Sequence, residues 1–144
     1  MKRSLLIAGV VAVMIAAWSV GRVHGQNEMK KVVFVSSSQA NYTTMSKGVS
    51  SAKIWGDPDM GAHATFTKFE PGQDNGMHTH TNDVWIVVVK GAYLYKDEAG
   101  EKRVAAGDFL RVPGGHKHWS GGDAKEGAVF YTESSGKFDL IPVK

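Results

Sequence analysis

Four of the six histidines in this 144-residue chain fall into two pairs spaced one residue apart, His78/His80 in "GMHTHTNDVW" and His116/His118 in "VPGGHKHW". Successive side chains on a β-strand point to opposite faces, so residues i and i+2 present two imidazoles in one direction. A first-row metal ion needs that arrangement, and a third ligand from another strand would close the site. His118, carried onto a new strand by the "VPGG" turn, can supply it. A lone HxH is more often a surface or structural feature, but two such pairs, each just after a glycine or proline turn, shift the balance toward metal. The chain has no cysteine, which excludes disulfides, thiolate sites and cysteine nucleophiles. Histidine and carboxylate remain as the strong ligands, and imidazole suits zinc, iron, copper and nickel alike.

Three readings stay open for His116: a fourth ligand, a donor behind the ligands, or a solvent-facing turn residue, the last being favoured. His63 reads as a structural histidine. Phe66, Tyr93, Trp119 and Tyr131 could line a pocket, although aromatic side chains in a small barrel usually fill its core. Glu133 and Lys68 read as solvated face residues. No residue is specific enough to be named as catalytic.

The elements that must position these histidines are short and extended. Apolar and β-branched clusters recur as "KVVFV" (31–35), "AKIW" (52–55), "HATFTKF" (63–69), "DVWIVVV" (83–89), "AYLY" (92–95), "DFLRV" (108–112), "AVFYT" (128–132) and "FDLIPV" (138–143). Between them lie turn signals such as "GDPDMG", "EPGQDNG", "KDEAGE" and "GGDAKEG". No stretch after position 30 keeps a 3.6-residue apolar period. The pattern predicts an all-β sandwich or barrel, with the HxH of residues 78–80 at the start of a strand.

Residues 1–25, "MKRSLLIAGVVAVMIAAWSVGRVHG", combine a basic start, a 14-residue apolar run from Leu5 to Trp18, and small residues before Gln26. They predict a cleaved secretory signal, an exported (periplasmic) protein, and a mature domain over 26–144. The run is short for a membrane span of about 20 residues, so contact with a membrane is expected only through this segment. The chain's formal charge of +3 comes from 17 basic and 14 acidic residues. Lys2, Arg3 and Arg22 all lie in the leader, leaving 14 of each sign, so no nucleic-acid partner is expected. One domain accounts for the remaining length.

At the level of whole motifs the chain resembles the cupin superfamily. In "GQDNGMHTHTNDVWIVVVKG" (72–91), Gly72, His78, His80 and Gly91 fall where the first cupin motif places its glycines and histidines. In "GDFLRVPGGHKHWSGG" (107–122), Gly107, Pro113, Gly115 and His118 fit the second motif, with Gly122 in place of its usual asparagine. Beyond the motifs, "WGDPDMGAHATFTKFEPG" and "YTESSGKFDLIPV" are similar to the cupin domain of the zinc-binding ChrR-type anti-sigma factors, so the resemblance spans roughly residues 45–143. It implies a single-domain cupin, a small β-barrel or jelly roll, with His78, His80 and His118 as metal ligands.

Where the motif has a glutamate this chain has Val84, four residues after His80 and of the same strand parity; Asp83 has the opposite parity. The resemblance then implies a neutral three-histidine shell that leaves a divalent ion its full +2 charge. Iron or zinc is favoured among Fe, Zn, Mn, Ni and Cu. The leading expectation is a metal-dependent, dioxygenase-like enzyme acting on a small organic molecule. The alternative is a non-catalytic module that binds or senses a metal or small ligand. An anti-sigma role is poorly supported, and a metal-free barrel would make both histidine pairs coincidental. A homodimer formed through sheet edges or "KVVFV" is a further option that the resemblance raises.

Overall fold

The computed structural model describes residues 32–143. The expected leader, 1–25, lies outside the described residues. Among the described residues no helix is long and apolar enough to cross a membrane.

Among the described residues ten strands carry the fold: β1 (Thr43–Ser46), β2 (Val49–Gly56), β3 (His63–Phe69), β4 (Asp74–Thr79), β5 (Val84–Asp97), β6 (Gly100–Ala105), β7 (Phe109–Val112), β8 (His118–Gly122), β9 (Ala128–Ser134) and β10 (Ile141–Pro142). One layer runs β1-β2-β3-β9-β5-β7 and the other β10-β4-β8-β5-β6, with every neighbour antiparallel. The all-β jelly-roll expectation is met.

β5 belongs to both layers. Its first half, from Val84, pairs with β9 and β7, and its second half, from Ala92, with β6 and β8. The clusters "DVWIVVV" and "AYLY" are therefore one strand of 14 residues. The register slips between Val88 and Lys90, and Gly91 follows at φ 69°. A Cβ on Gly91 would lie 2.3 Å from the Gly127 carbonyl oxygen, so only glycine fits the corner. A bulge followed by glycine bends the strand out of one sheet and into the other.

Alternation along β5 puts Val84, Ile86 and Val88 inward before the corner and Tyr93 and Tyr95 inward after it. With Val104, Val112, Ala128 and Phe130 they form the core, and Phe69 and Leu110 pack against it. Phe69, Tyr93 and Phe130 make a three-ring cluster with centroids 4.8 to 5.6 Å apart. Burying side chains of this size contributes about 1.5–3 kcal/mol each, and the cluster holds the two layers together.

Two local expectations need correcting. The described part of "KVVFV" forms no strand. The HxH of residues 78–80 sits at the end of β4, not the start of a strand, because a turn separates it from β5. Side-chain parity therefore does not carry from His80 to Val84.

Candidate metal centre

Antiparallel pairing of β4 with β8 sets His78 directly opposite His118. His80 follows just past the end of β4, where the "VPGG" turn packs on the chain: the Gly115 amide donates to the His80 carbonyl at 2.7 Å. A Cβ on Gly114 would come within 2.5 Å of the Thr81 carbonyl oxygen, so this approach requires glycine at that position. The turn that precedes β8 is in this way laid against the first histidine pair.

The three rings converge. Their centroids are 4.3 Å apart for His78–His118, 5.0 Å for His78–His80 and 5.3 Å for His80–His118. One ligand nitrogen from each lies within 4.8 Å of the other two, and all three residues are buried. No other group of three or more potential ligands converges this way among the described residues.

Each ring is aimed by a peptide carbonyl. His78 Nδ1 donates to Gly76 O at 2.9 Å, His118 Nδ1 to His116 O at 3.0 Å, and His80 Nδ1 to Asp139 O at 2.5 Å. A carbonyl only accepts, so Nδ1 carries the proton and Nε2 is left as a bare lone pair. Metal-ligating histidines are held in this way by their second nitrogen. Burial lowers the pKa of His78 and takes that of His118 down to about 4, outweighing the carbonyl bonds that favour the charged form. His78 and His118 are therefore neutral at pH 7 and ready to donate.

His118 Nε2 is buried without any hydrogen-bond partner. An orphaned buried acceptor costs about 1–3 kcal/mol. A cation held by the three lone pairs would satisfy it, so the residues present fit a divalent ion.

The acidic residues stand elsewhere. Asp83 accepts from Arg111 at 2.6 and 3.0 Å and from the Gly114 amide at 2.9 Å; Val84 belongs to the apolar core. No carboxylate joins the histidine group. His116 lies in the turn before β8 with its side chain 35% exposed, so it faces solvent in part. Its Nε2 also donates to Asp97 Oδ2 at 3.1 Å, and its carbonyl accepts from His118 Nδ1. His63 is a buried structural histidine bonded to Gly61 O at 2.9 Å.

Sequence reasoning missed Tyr95 and Asp139. The Tyr95 ring stacks on His118, and its hydroxyl donates to Asp97 at 2.9 Å. The spacing of β5 put Tyr95 inward, but no motif marked it. Asp139 acts through its main chain, which no residue type signals. Of the other aromatics, Tyr93 is core, and Trp119 lines a groove of about 690 Å³ with Met77, Leu94, Lys96 and Arg103. Met77 and Trp119 each neighbour a histidine of the converging group along their strands, so this groove lies on the opposite face of the sheet.

Residues 30–137 match the family described as the ChrR cupin-like domain. No curated protein matches the chain significantly. Among solved structures, the chain is similar to the polyketide cyclase RemF from Streptomyces resistomycificus, at 15% identity and a TM-score of 0.66 over 79% of this chain and 87% of that one. It is similar to the Rhodobacter sphaeroides complex of SigE with the anti-sigma ChrR, at 19% identity and 0.56 over 68% and 50%. A salicylate 1,2-dioxygenase from Pseudaminobacter salicylatoxidans aligns at 13% identity and 0.56 over 68% and 32%. At these identities the likeness is one of fold.

Proposed function

The chain belongs to the ChrR cupin-like domain family, and from that premise we propose that it is an exported, metal-dependent oxidoreductase acting on a small chelating organic molecule. The observation that carries the reading is the convergence of three buried imidazoles whose Nδ1 atoms are each taken by a carbonyl, leaving Nε2 bare. His78, His80 and His118 would be the protein ligands of one divalent ion, iron or zinc first. Such an ion supplies Lewis acidity and, if it is iron, electrons for oxygen chemistry.

The chain's own residues set the selectivity. With no carboxylate among the three ligands, an anionic oxygen or sulfur on the substrate meets no repulsion from the shell, which favours diketones, phenols and thiols. Gly76, His116 and Asp139 hold the rings in one tautomer through their carbonyls. Tyr95 packs flat on His118 and keeps its hydroxyl proton, because burial and Asp97 both push its pKa up. Salicylate, named for a dioxygenase of this fold, is itself a chelating phenol.

A second reading, a non-catalytic binding or sensing cupin, is favoured by one observation: the phenol beside the site is a poor proton shuttle. Tyr95 stacks on His118 with its hydroxyl committed to Asp97.

Two measurements separate the readings. Metal analysis of native protein identifies the ion, and oxygen uptake by iron-loaded and zinc-loaded protein is compared across diketones, phenols and thiols. Iron-dependent uptake supports the enzyme; full zinc occupancy with no uptake supports the binding module. N-terminal sequencing of the native protein tests export, with a terminus near Gln26 expected.

A further inference from the structure

His78 and His118 are aimed by carbonyls two residues earlier in their own strand connections, but His80 is aimed by a carbonyl 59 residues later in the chain. The acceptor, Asp139, lies in the C-terminal segment 136–143, which crosses the metal-holding stretch residue by residue. The Val143 amide donates to the Met77 carbonyl at 3.0 Å, and Pro142 and Ile141 pair with His78 and Thr79. The Asp139 carboxylate takes the Thr81 amide at 2.8 Å and the Thr81 hydroxyl at 2.5 Å. Asn82 donates to the Lys137 carbonyl at 3.1 Å, and the Phe138 ring lies beside His80 with centroids 5.7 Å apart.

Every residue from 77 to 82 is thus touched by the strap, yet no strap residue is buried; Phe138, Leu140 and Ile141 are 39 to 47% exposed. A segment fixed by hydrogen bonds and little apolar burial sits at the low end of local stability and opens more readily than the barrel beneath it.

We propose that this strap is the conditional part of the metal centre: Asp139, clamped by Thr81, positions His80, so metal retention depends on strap docking, and docking in turn on metal. With the strap seated, His80 is held with Nε2 inward and the shell has three ligands. With it lifted, the His80 ring loses its acceptor and its rotamer, and His78 and His118 remain. Coupling of this kind is reciprocal, so the factor by which the seated strap tightens metal equals the factor by which metal tightens the strap. The inference rests on the three-histidine metal reading and adds to it the positioning pair Asp139 and Thr81.

The test uses zinc alone as probe, titrated into the purified protein against a chromophoric chelator. Losing a partner behind a metal ligand costs about 10- to 100-fold in affinity. Asp139→Ala and Thr81→Val should each weaken zinc by about that range, the double variant by little more than either single, and Thr81→Ser and Lys137→Ala hardly at all. In the parent protein, zinc should slow amide exchange of residues 137–143 by a factor matching the affinity loss. Should Asp139→Ala not fold, the Thr81 variants and the parent exchange rates decide. Parent-like zinc affinity in Thr81→Val, or strap exchange indifferent to zinc, overturns the strap inference and leaves the metal reading standing. A parent that binds no zinc or other divalent ion at these histidines overturns the metal reading itself.

Discussion

Tyr95 lies face to face with His118, ring centroids 5.4 Å apart and planes 18° from parallel. The phenol is fixed at its far end by Asp97, which also takes His116 Nε2, so one carboxylate ties a packing residue and a turn residue to the same ligand. Removing the hydroxyl and removing the ring should therefore have different effects. Tyr95→Phe keeps the stack, loses about 1 kcal/mol of stability with its hydrogen bond, and retains stoichiometric metal. Tyr95→Ala leaves a cavity worth about 3–5 kcal/mol and frees His118 to turn, with metal affinity falling about tenfold or more. Urea denaturation with metal titration separates the two, and equal metal loss in both variants would put the effect on the hydroxyl.

Substituting any one of His78, His80 or His118 by Ala should abolish stoichiometric metal while β-rich circular dichroism persists, because each supplies one of only three neutral donors. His116→Ala should keep metal, since any residue at position 116 offers the carbonyl that His118 uses. Full metal content in His118→Ala would refute the ligand assignment.

The acid response of the metal-free protein follows from the lowered histidine pKa values. His118 titrates near 4 when folded, against about 6.5 when unfolded, so its contribution is complete above pH 6.5 and is lost as pH falls through 4. His78 is shifted in the same direction. The loss for His118 is at most about 3 kcal/mol. Urea midpoints measured between pH 7 and 4 should fall less steeply in His118→Ala than in the parent; parallel curves would remove His118 from the account.

Gly91→Ala tests the corner of β5. Its φ of 69° and the Gly127 carbonyl 2.3 Å from the added Cβ predict a loss of more than about 1–3 kcal/mol, read as a lowered thermal midpoint. A parent-like midpoint would mean that the corner relaxes around the methyl group.

The fold class and the histidine pairs were legible in the sequence because they rest on local signals: β-branched clusters between turns, and i, i+2 spacing on strands. The geometry around Val84 was not, since counting parity from His80 assumed one strand where a turn separates two. "DVWIVVV" and "AYLY" read as separate because the bulge and Gly91 look like a turn, although here they bend one strand. The pairing of His116 with Asp97 links residues 19 apart and depends on how β5 and the "VPGG" turn meet. The role of Asp139 is carried by a carbonyl and a C-terminal crossing that no periodicity records.

All three ligand rings are oriented by main-chain oxygens, and every amino acid has one. Substitutions at positions 76 or 116 that keep the backbone path leave an acceptor for their rings in place, whereas position 139 also carries the carboxylate that clamps Thr81. Side chains other than that clamp can therefore drift around the centre while the ring orientations are inherited intact. A scaffold wired through its peptide groups can change the side chains that line its centre without relearning how to aim its rings.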